Sequence, residues 1–139
     1  MAAEKNLHLI LEGAGAVSAD RLMLRRALGN LLSNAVRHSG VGTRLRVNIG
    51  NRADAVSIAI ENTGDTIAPE YLERVFDRFF RVDPSRQRSG EGTGLGLAIT
   101  RSIVLAHGGT IAVESALGVT IFTIELPKTT DQPVHVKRS

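Results

Sequence analysis

The chain has 139 residues, 42% of them hydrophobic, with a formal charge of +3 and no cysteine, which fits one globular domain with a real core and leaves no room for two. Without cysteine there is no disulfide framework, no thiolate metal site and no cysteine nucleophile. No apolar run reaches the roughly 18 residues that span a membrane, the start lacks the layout of an export signal, and aromatics are only 4%, so the expectation is a cytoplasmic domain with no direct membrane contact and no nucleic-acid surface. The basic residues are spread out except for Arg78, Arg81, Arg86 and Arg88, which suits a local anion site better than a nucleic-acid face.

In chain order, Asn6 to Leu11 reads as a first strand, followed by a Gly-rich turn through Gly13 and Gly15. Ser18 or Asp20 can cap the next element. Leu24, Ala27, Leu28, Leu31, Leu32 and Ala35 recur at spacings of three and four, which predicts a helix from Asp20 to about His38 with one buried face. Gly40 and Gly42 end it. Leu45, Val47 and Ile49, then Val56, Ile58 and Ile60, alternate with polar residues on either side of a turn at Asn51 to Asp54, as the strands of a hairpin do. A short helix follows Pro69, and Val82 to Gly94 is a polar stretch of the length at which loops are usually functional. A second long helix is predicted from Leu95 to His107, closed by Gly108 and Gly109, with strands at Thr110 to Glu114 and Thr120 to Leu126. The domain is expected to occupy residues 1–127, with 128–139 a polar tail.

Four constellations carry candidate chemistry. Asn30 and Asn34 lie four apart on one helix face, with Arg37 and His38 a turn further on. Taken alone this is equally a solvated face, but asparagine is a poor helix former, and amide oxygens suit magnesium, which keeps waters and takes phosphate oxygens. Gly90, Gly92, Gly94 and Gly96 alternate directly before a helix, where backbone can approach phosphate and the helix start favours an anion; as a bare pattern they are also compatible with a linker. The spacing fits neither the dinucleotide fingerprint nor the P-loop. ENTGDTIAPE places Asn62 at a strand end and Gly64 in a turn, where an amide can pair with a purine edge or simply be a turn residue. VFDRFFRVD holds Phe76, Phe79 and Phe80, three of four phenylalanines, spaced as a packing cluster.

Together and in this order, these segments resemble the N box, first glycine box, F box and second glycine box of the histidine kinase catalytic domain, over roughly residues 5 to 127. That family shares its ATP-binding fold with type II topoisomerase, heat-shock chaperone and mismatch-repair ATPases. The resemblance implies an α/β sandwich of the Bergerat type, with a mixed, mainly antiparallel sheet of about five strands and about three helices on one face. It implies ATP and Mg²⁺ as cofactors, with Asn34 and Asn30 as the catalytic and metal-site residues, Asn34 as ligand and Asn30 beside the same metal and phosphates. Arg37 then stands for a usual lysine near the phosphates and His38 for a usual tyrosine against the adenine. Phe76, Phe79 and Phe80 would anchor a lid whose Gly92, Gly94 and Gly96 close over the phosphates, and Arg81, Thr93, Leu95 and Thr120 join the nucleotide-binding set.

The usual first glycine box is DxGxG; alignment on Gly64 and Ile67 puts Asn62 at the aspartate and Thr66 at the second glycine. The run from Glu61 to Ile99 is similar to the copper- and silver-responsive sensor kinases of Gram-negative bacteria, which carry a similar variant. The implied activity is transfer of the γ-phosphoryl of ATP to a histidine on a dimeric helical hairpin, and then to a response-regulator aspartate. His8, His38, His107 and His135 all lack the HExxxP setting of that phosphoacceptor, so the hairpin is expected on a separate, N-terminal part of an inner-membrane sensor. Two rival readings are an anti-sigma-factor serine kinase on the same fold and a non-catalytic nucleotide-binding module.

Overall fold

The computed structural model describes residues 8–13, 15, 17, 19–78, 80 and 95–128. Strands β1 (His8–Gly13), β2 (Arg44–Asn51), β3 (Ala55–Thr63), β4 (Thr110–Ala116) and β5 (Val119–Pro127) form one sheet in the order β1-β2-β3-β5-β4. The β1–β2 pair runs parallel, and the pairs β2–β3, β3–β5 and β5–β4 antiparallel. Among the described residues three helices accompany the sheet: α1 (Arg21–His38), α2 (Pro69–Leu72) and α3 (Gly96–Ala106). This is the mixed five-stranded sheet with three helices that the resemblance implies.

Period-two alternation fixes which face of the sheet is covered. On β3 and β5 every second residue is buried: Val56, Ile58, Ile60 and Asn62 on one, Thr120, Phe122, Ile124 and Leu126 on the other. Their register aligns them in rows, Ile58 with Ile124 and Ile60 with Phe122, extended by Ile49 and Val47 of β2 and by Ile111 and Val113 of β4. Onto these rows α1 lays Ala27, Leu31 and Ala35, all buried, with Leu24, Leu28 and Leu32 half-buried beside them. From α3 come Ile103 and Val104. Burying a side chain of this size contributes about 1.5–3 kcal/mol.

Both long helices start and stop where the sequence indicates, but by different devices. Asp20 is the N-cap of α1: its carboxylate accepts from the Met23 N–H at 3.1 Å. At the other end the Ser39 hydroxyl donates to the Ala35 carbonyl at 2.6 Å. Among the described residues the start of α3, by contrast, has no side-chain cap, and its first turn holds no acidic residue. Its far end closes on Gly108, whose φ of +77° is the left-handed conformation glycine adopts without strain.

Two boundaries differ from the expectation. The first strand continues to Gly13 instead of turning there; Asn6 and Leu7 lie outside the described residues. Gly13 has φ +90°, and a Cβ on it would run into the Ile49 carbonyl oxygen, so glycine extends the parallel pairing by one residue where any side chain would end it. Between β4 and β5 the expected loop is only a two-residue turn. Leu117 at φ 52° and Gly118 at φ 82° are both left-handed, the pairing that lets a hairpin close with the twist of its strands.

Candidate functional site

The inward rows of the sheet are apolar until its last row, where they turn polar. Leu45, Asn62, Thr120 and Ser115 stand side by side across β2, β3, β5 and β4, and Asn62 and Thr120 are almost fully buried. Buried polar groups need partners. The Asn62 side-chain nitrogen faces the His38 carbonyl at 3.5 Å, a long contact that nevertheless turns the amide oxygen the other way. Ser115 accepts from the Ile67 N–H at 2.8 Å, and its oxygen lies 2.7 Å from that of Thr120. With Ser115 already accepting, its proton can go to Thr120, which leaves the Thr120 hydroxyl proton for a ligand.

The loop that follows β3 is drawn tightly against the end of α1. Ser39 and Gly64 bridge as β-residues, Gly40 N–H donates to the Thr63 carbonyl at 2.9 Å, and a Cβ on Gly64 would strike the His38 carbonyl oxygen. Glycine is therefore required at Gly64 for close approach. The opposite side of the loop is pinned to the β4–β5 turn: Gly64 N–H donates to the Gly118 carbonyl at 2.8 Å, and Gly118 N–H donates to the Thr66 hydroxyl at 2.6 Å. Thr66, which stands where a second glycine would be expected, thus holds the turn in place.

Asn30 of α1 meets the start of α3. Its side-chain nitrogen donates to the Gly96 carbonyl at 3.2 Å, on the same flank of α1 that carries Asn34 and Arg37, both half-buried. Thr100, fully buried, lies with its hydroxyl 2.9 Å from the Gly96 carbonyl and 3.4 Å from that of Ala27. The first turn of α3 is thereby held next to the asparagine face of α1. Among the described residues no cluster of three or more His, Asp or Glu could hold a metal by itself. A divalent cation at Asn34 and Asn30 would take amide oxygens from the chain and the rest of its shell from phosphate and water, the set magnesium prefers.

Of the phenylalanines, Phe76 packs edge-on against Phe122 of the core, ring centres 6.0 Å apart at 83°. Phe80 lies 5.7 Å from Tyr71, and the Arg74 guanidinium stands 4.6 Å over its ring. The short helix α2 and the turn after it are thus anchored on one side to the sheet. Phe79, Arg81, Gly92, Thr93 and Gly94 lie outside the described residues, as does the stretch from Val82 to Gly94. Of the described candidates, His38, Asn62, Gly64, Ile67 and Thr120 meet at one end of the sheet, while Asn30, midway along α1, meets Gly96 and the start of α3 at Leu95, with Asn34 and Arg37 between the two groups along α1. Sequence reasoning did not single out Ser115 or Thr100. Both are alternating or helical polar residues among apolar ones, a signal that shows only once their neighbours are known. The open groove lined by Arg21, Leu24, Arg25, Leu28, Gly29 and Leu32 lies on the other flank of α1 and contains none of the candidates.

The sequence profile of the histidine kinase-, DNA gyrase B- and HSP90-like ATPases matches residues 19–130. Sensor histidine kinase CusS of Escherichia coli K12 is 57% identical over 111 residues, 80% of this chain and 23% of CusS. Probable sensor kinase SilS of Salmonella typhimurium is 50% identical over 112 residues, 81% of this chain and 22% of SilS. The chain thus spans under a quarter of the length of these relatives. Among solved structures, the catalytic domain of histidine kinase ThkA superposes with a TM-score of 0.78 at 30% identity, covering 93% of this chain and 85% of that one. ThkA in complex with response regulator protein TrrA gives a TM-score of 0.74 at 27% identity, covering 92% of this chain and 36% of that one. With the profile covering most of the chain and the ThkA domain matched over nearly its whole length, the chain belongs to the histidine kinase-, DNA gyrase B- and HSP90-like ATPases, as a histidine-kinase catalytic domain.

Proposed function

We propose that this chain binds ATP with Mg²⁺ between α1 and the start of α3, and passes the γ-phosphoryl to a histidine on a separate dimeric hairpin of the same kinase, in a sensor of copper, silver or a similar metal. The observation that carries the reading is the start of α3, which among the described residues has no side-chain cap and no acid in its first turn, held by Asn30 on the flank of α1 that also carries Asn34. Such a helix end attracts an anion, and the asparagine oxygens supply hard ligands where a cation would bridge the phosphates. Asn62 and Thr120 then meet the adenine edge: the Asn62 oxygen accepts from the exocyclic amino group, and the Thr120 hydroxyl donates to a ring nitrogen. Arg37 lies near the phosphates and His38 beside the base. Arg81, Phe79, Gly92, Thr93 and Gly94 belong to the lid in this reading, with Phe76 as its inner anchor.

Phosphoryl transfer needs positioning and charge neutralisation more than covalent machinery, and amides, a helix end and a metal provide those. The hairpin, the response regulator and an inner-membrane sensor containing this domain in the cytoplasm belong to the same proposal, supported by the kinship with the sensor kinases CusS and SilS and by the ThkA complex with a response regulator. The test supplies a separately made histidine hairpin and labelled ATP. Asn34→Ala should slow transfer at least about tenfold, on the order of 1.4 kcal/mol, with melting unchanged. Unchanged transfer would show the asparagine stripe to be a solvated face, and label on serine of another protein would favour the anti-sigma kinase reading.

A further inference from the structure

Helices α1 and α3 pack antiparallel, and polar contacts join them at three levels. Nearest the candidate site Asn30 donates to Gly96; in the middle Thr100 lies against the Ala27 carbonyl; at the far end the Asp20 N–H donates to Nε2 of His107 at 3.1 Å. The last contact spans 87 positions of sequence. It fixes the chemistry of the ring. Nε2 accepts from a backbone N–H, so it carries no proton; Nδ1 lies 2.8 Å from the Ile103 carbonyl, so it must donate. His107 is therefore a neutral imidazole protonated at Nδ1, wedged between its own helix and the N-cap of the other.

Asp20 uses three of its groups at this point. Its carboxylate caps the Met23 N–H and its carbonyl accepts from Leu24 N–H at 2.9 Å, which leaves the N–H that meets His107. The level at His107 stands about 15 Å along the helices from that at Asn30, at 1.5 Å per residue. The contacts at Asn30 and Thr100 lie near the start of α3, and the one at His107 ties its far end, which the other two leave free of polar contact with α1. Asn34 and Arg37 are on one helix and the first-turn N–H groups on the other, so a tilt of α3 at its far end alters the gap in which the phosphates would lie.

We propose that His107, in its Nδ1-protonated form, is a positioning residue for the nucleotide site: it ties the end of α3 to the N-cap of α1 and so holds Asn34 at a set distance from the start of α3. The proposal rests on the nucleotide reading given above. It concerns a residue that touches no ligand, so a loss of stability alone would not support it.

The first measurement is the ring ¹⁵N spectrum of the unaltered chain, which shows which nitrogen carries the proton. The second is ATP affinity in Mg²⁺ for the unaltered chain, His107→Phe and His107→Gln, well below each melting midpoint. The expected results are the Nδ1-protonated form, ATP bound about fivefold more weakly by the Phe variant, the loss of roughly one net hydrogen bond, and recovery in the Gln variant, whose amide oxygen can accept from Asp20. An Nε2-protonated ring would overturn the proposal, and this is read on the unaltered chain even where a variant fails to fold. So would a folded Phe variant that binds ATP as the unaltered chain does, or one whose weakened binding the Gln variant leaves unrestored. Failure of the unaltered chain to bind ATP would instead reject the nucleotide reading itself, and this proposal with it.

Discussion

Asn62 is only 2% exposed, yet it brings a donor and an acceptor into the end of the core. Its nitrogen is turned to the His38 carbonyl, so in the proposed site the oxygen is the group that meets the adenine. Changing it to aspartate has two opposed effects. Without ligand, Asn62→Asp buries a charge and faces the His38 carbonyl with an acceptor, which costs about 1–3 kcal/mol. With ATP, a charge-assisted bond to the adenine amino group replaces a neutral one. The variant should melt earlier than the parent when empty, recover more on adding ATP, and bind ATP several-fold more tightly or equally; thermal melting with and without nucleotide measures all three. The parent itself should prefer ATP to GTP, because guanine presents a carbonyl where adenine presents its amino group. A preference for GTP would mean that the amide presents its nitrogen.

At the scale of elements, the start of α3 bears most of the functional argument. A Cβ on Gly96 would meet nothing nearer than Asn30 Cγ at 3.7 Å, an ordinary contact. Alanine also forms helix more readily than glycine, by up to about 1 kcal/mol. Gly96→Ala should therefore leave the fold as stable as before or slightly more so. If phosphates close onto this backbone, the added methyl stands in their way, and ATP affinity falls by roughly tenfold, about 1.4 kcal/mol. Calorimetric titration alongside melting separates the two effects, and full affinity in the variant would place the phosphates elsewhere. The elements themselves were mostly legible. The spacing of Leu24, Ala27, Leu28, Leu31 and Ala35 and the alternation around Ile58 and Ile60 are local patterns, and both long helices end within a residue of the expected positions. The turn at Leu117 was not legible, because leucine signals no left-handed turn and costs roughly 1–2 kcal/mol in that conformation. Nor was the extension of β1 to Gly13, where the absence of a side chain is itself what permits pairing.

For the whole molecule, one apolar layer between sheet and helices holds both halves of the site. Leu31 lies at its centre, fully buried in the core cluster that also contains Ile60, Phe122 and Val104. Leu31→Ala leaves a cavity that the packed rows of the sheet cannot fill, so stability should drop by about 3 kcal/mol, a large part of the roughly 5–15 kcal/mol of a domain. Chemical denaturation reads this as a lower midpoint with an unchanged slope; a loss under about 1 kcal/mol would mean that the helix is not seated as described. The family was legible at this scale because the order of its segments is linear in the sequence. What joins them was not: the Ile67–Ser115–Thr120 chain and the Asp20–His107 contact link residues far apart along the chain, and no local pattern encodes such distances. The most direct test of the account is a calorimetric titration of the chain with ATP, in Mg²⁺ and again with the metal chelated. The account predicts saturable binding of one nucleotide, at least about tenfold tighter with the metal present. Equal affinity with and without Mg²⁺, or no binding in either case, would contradict it.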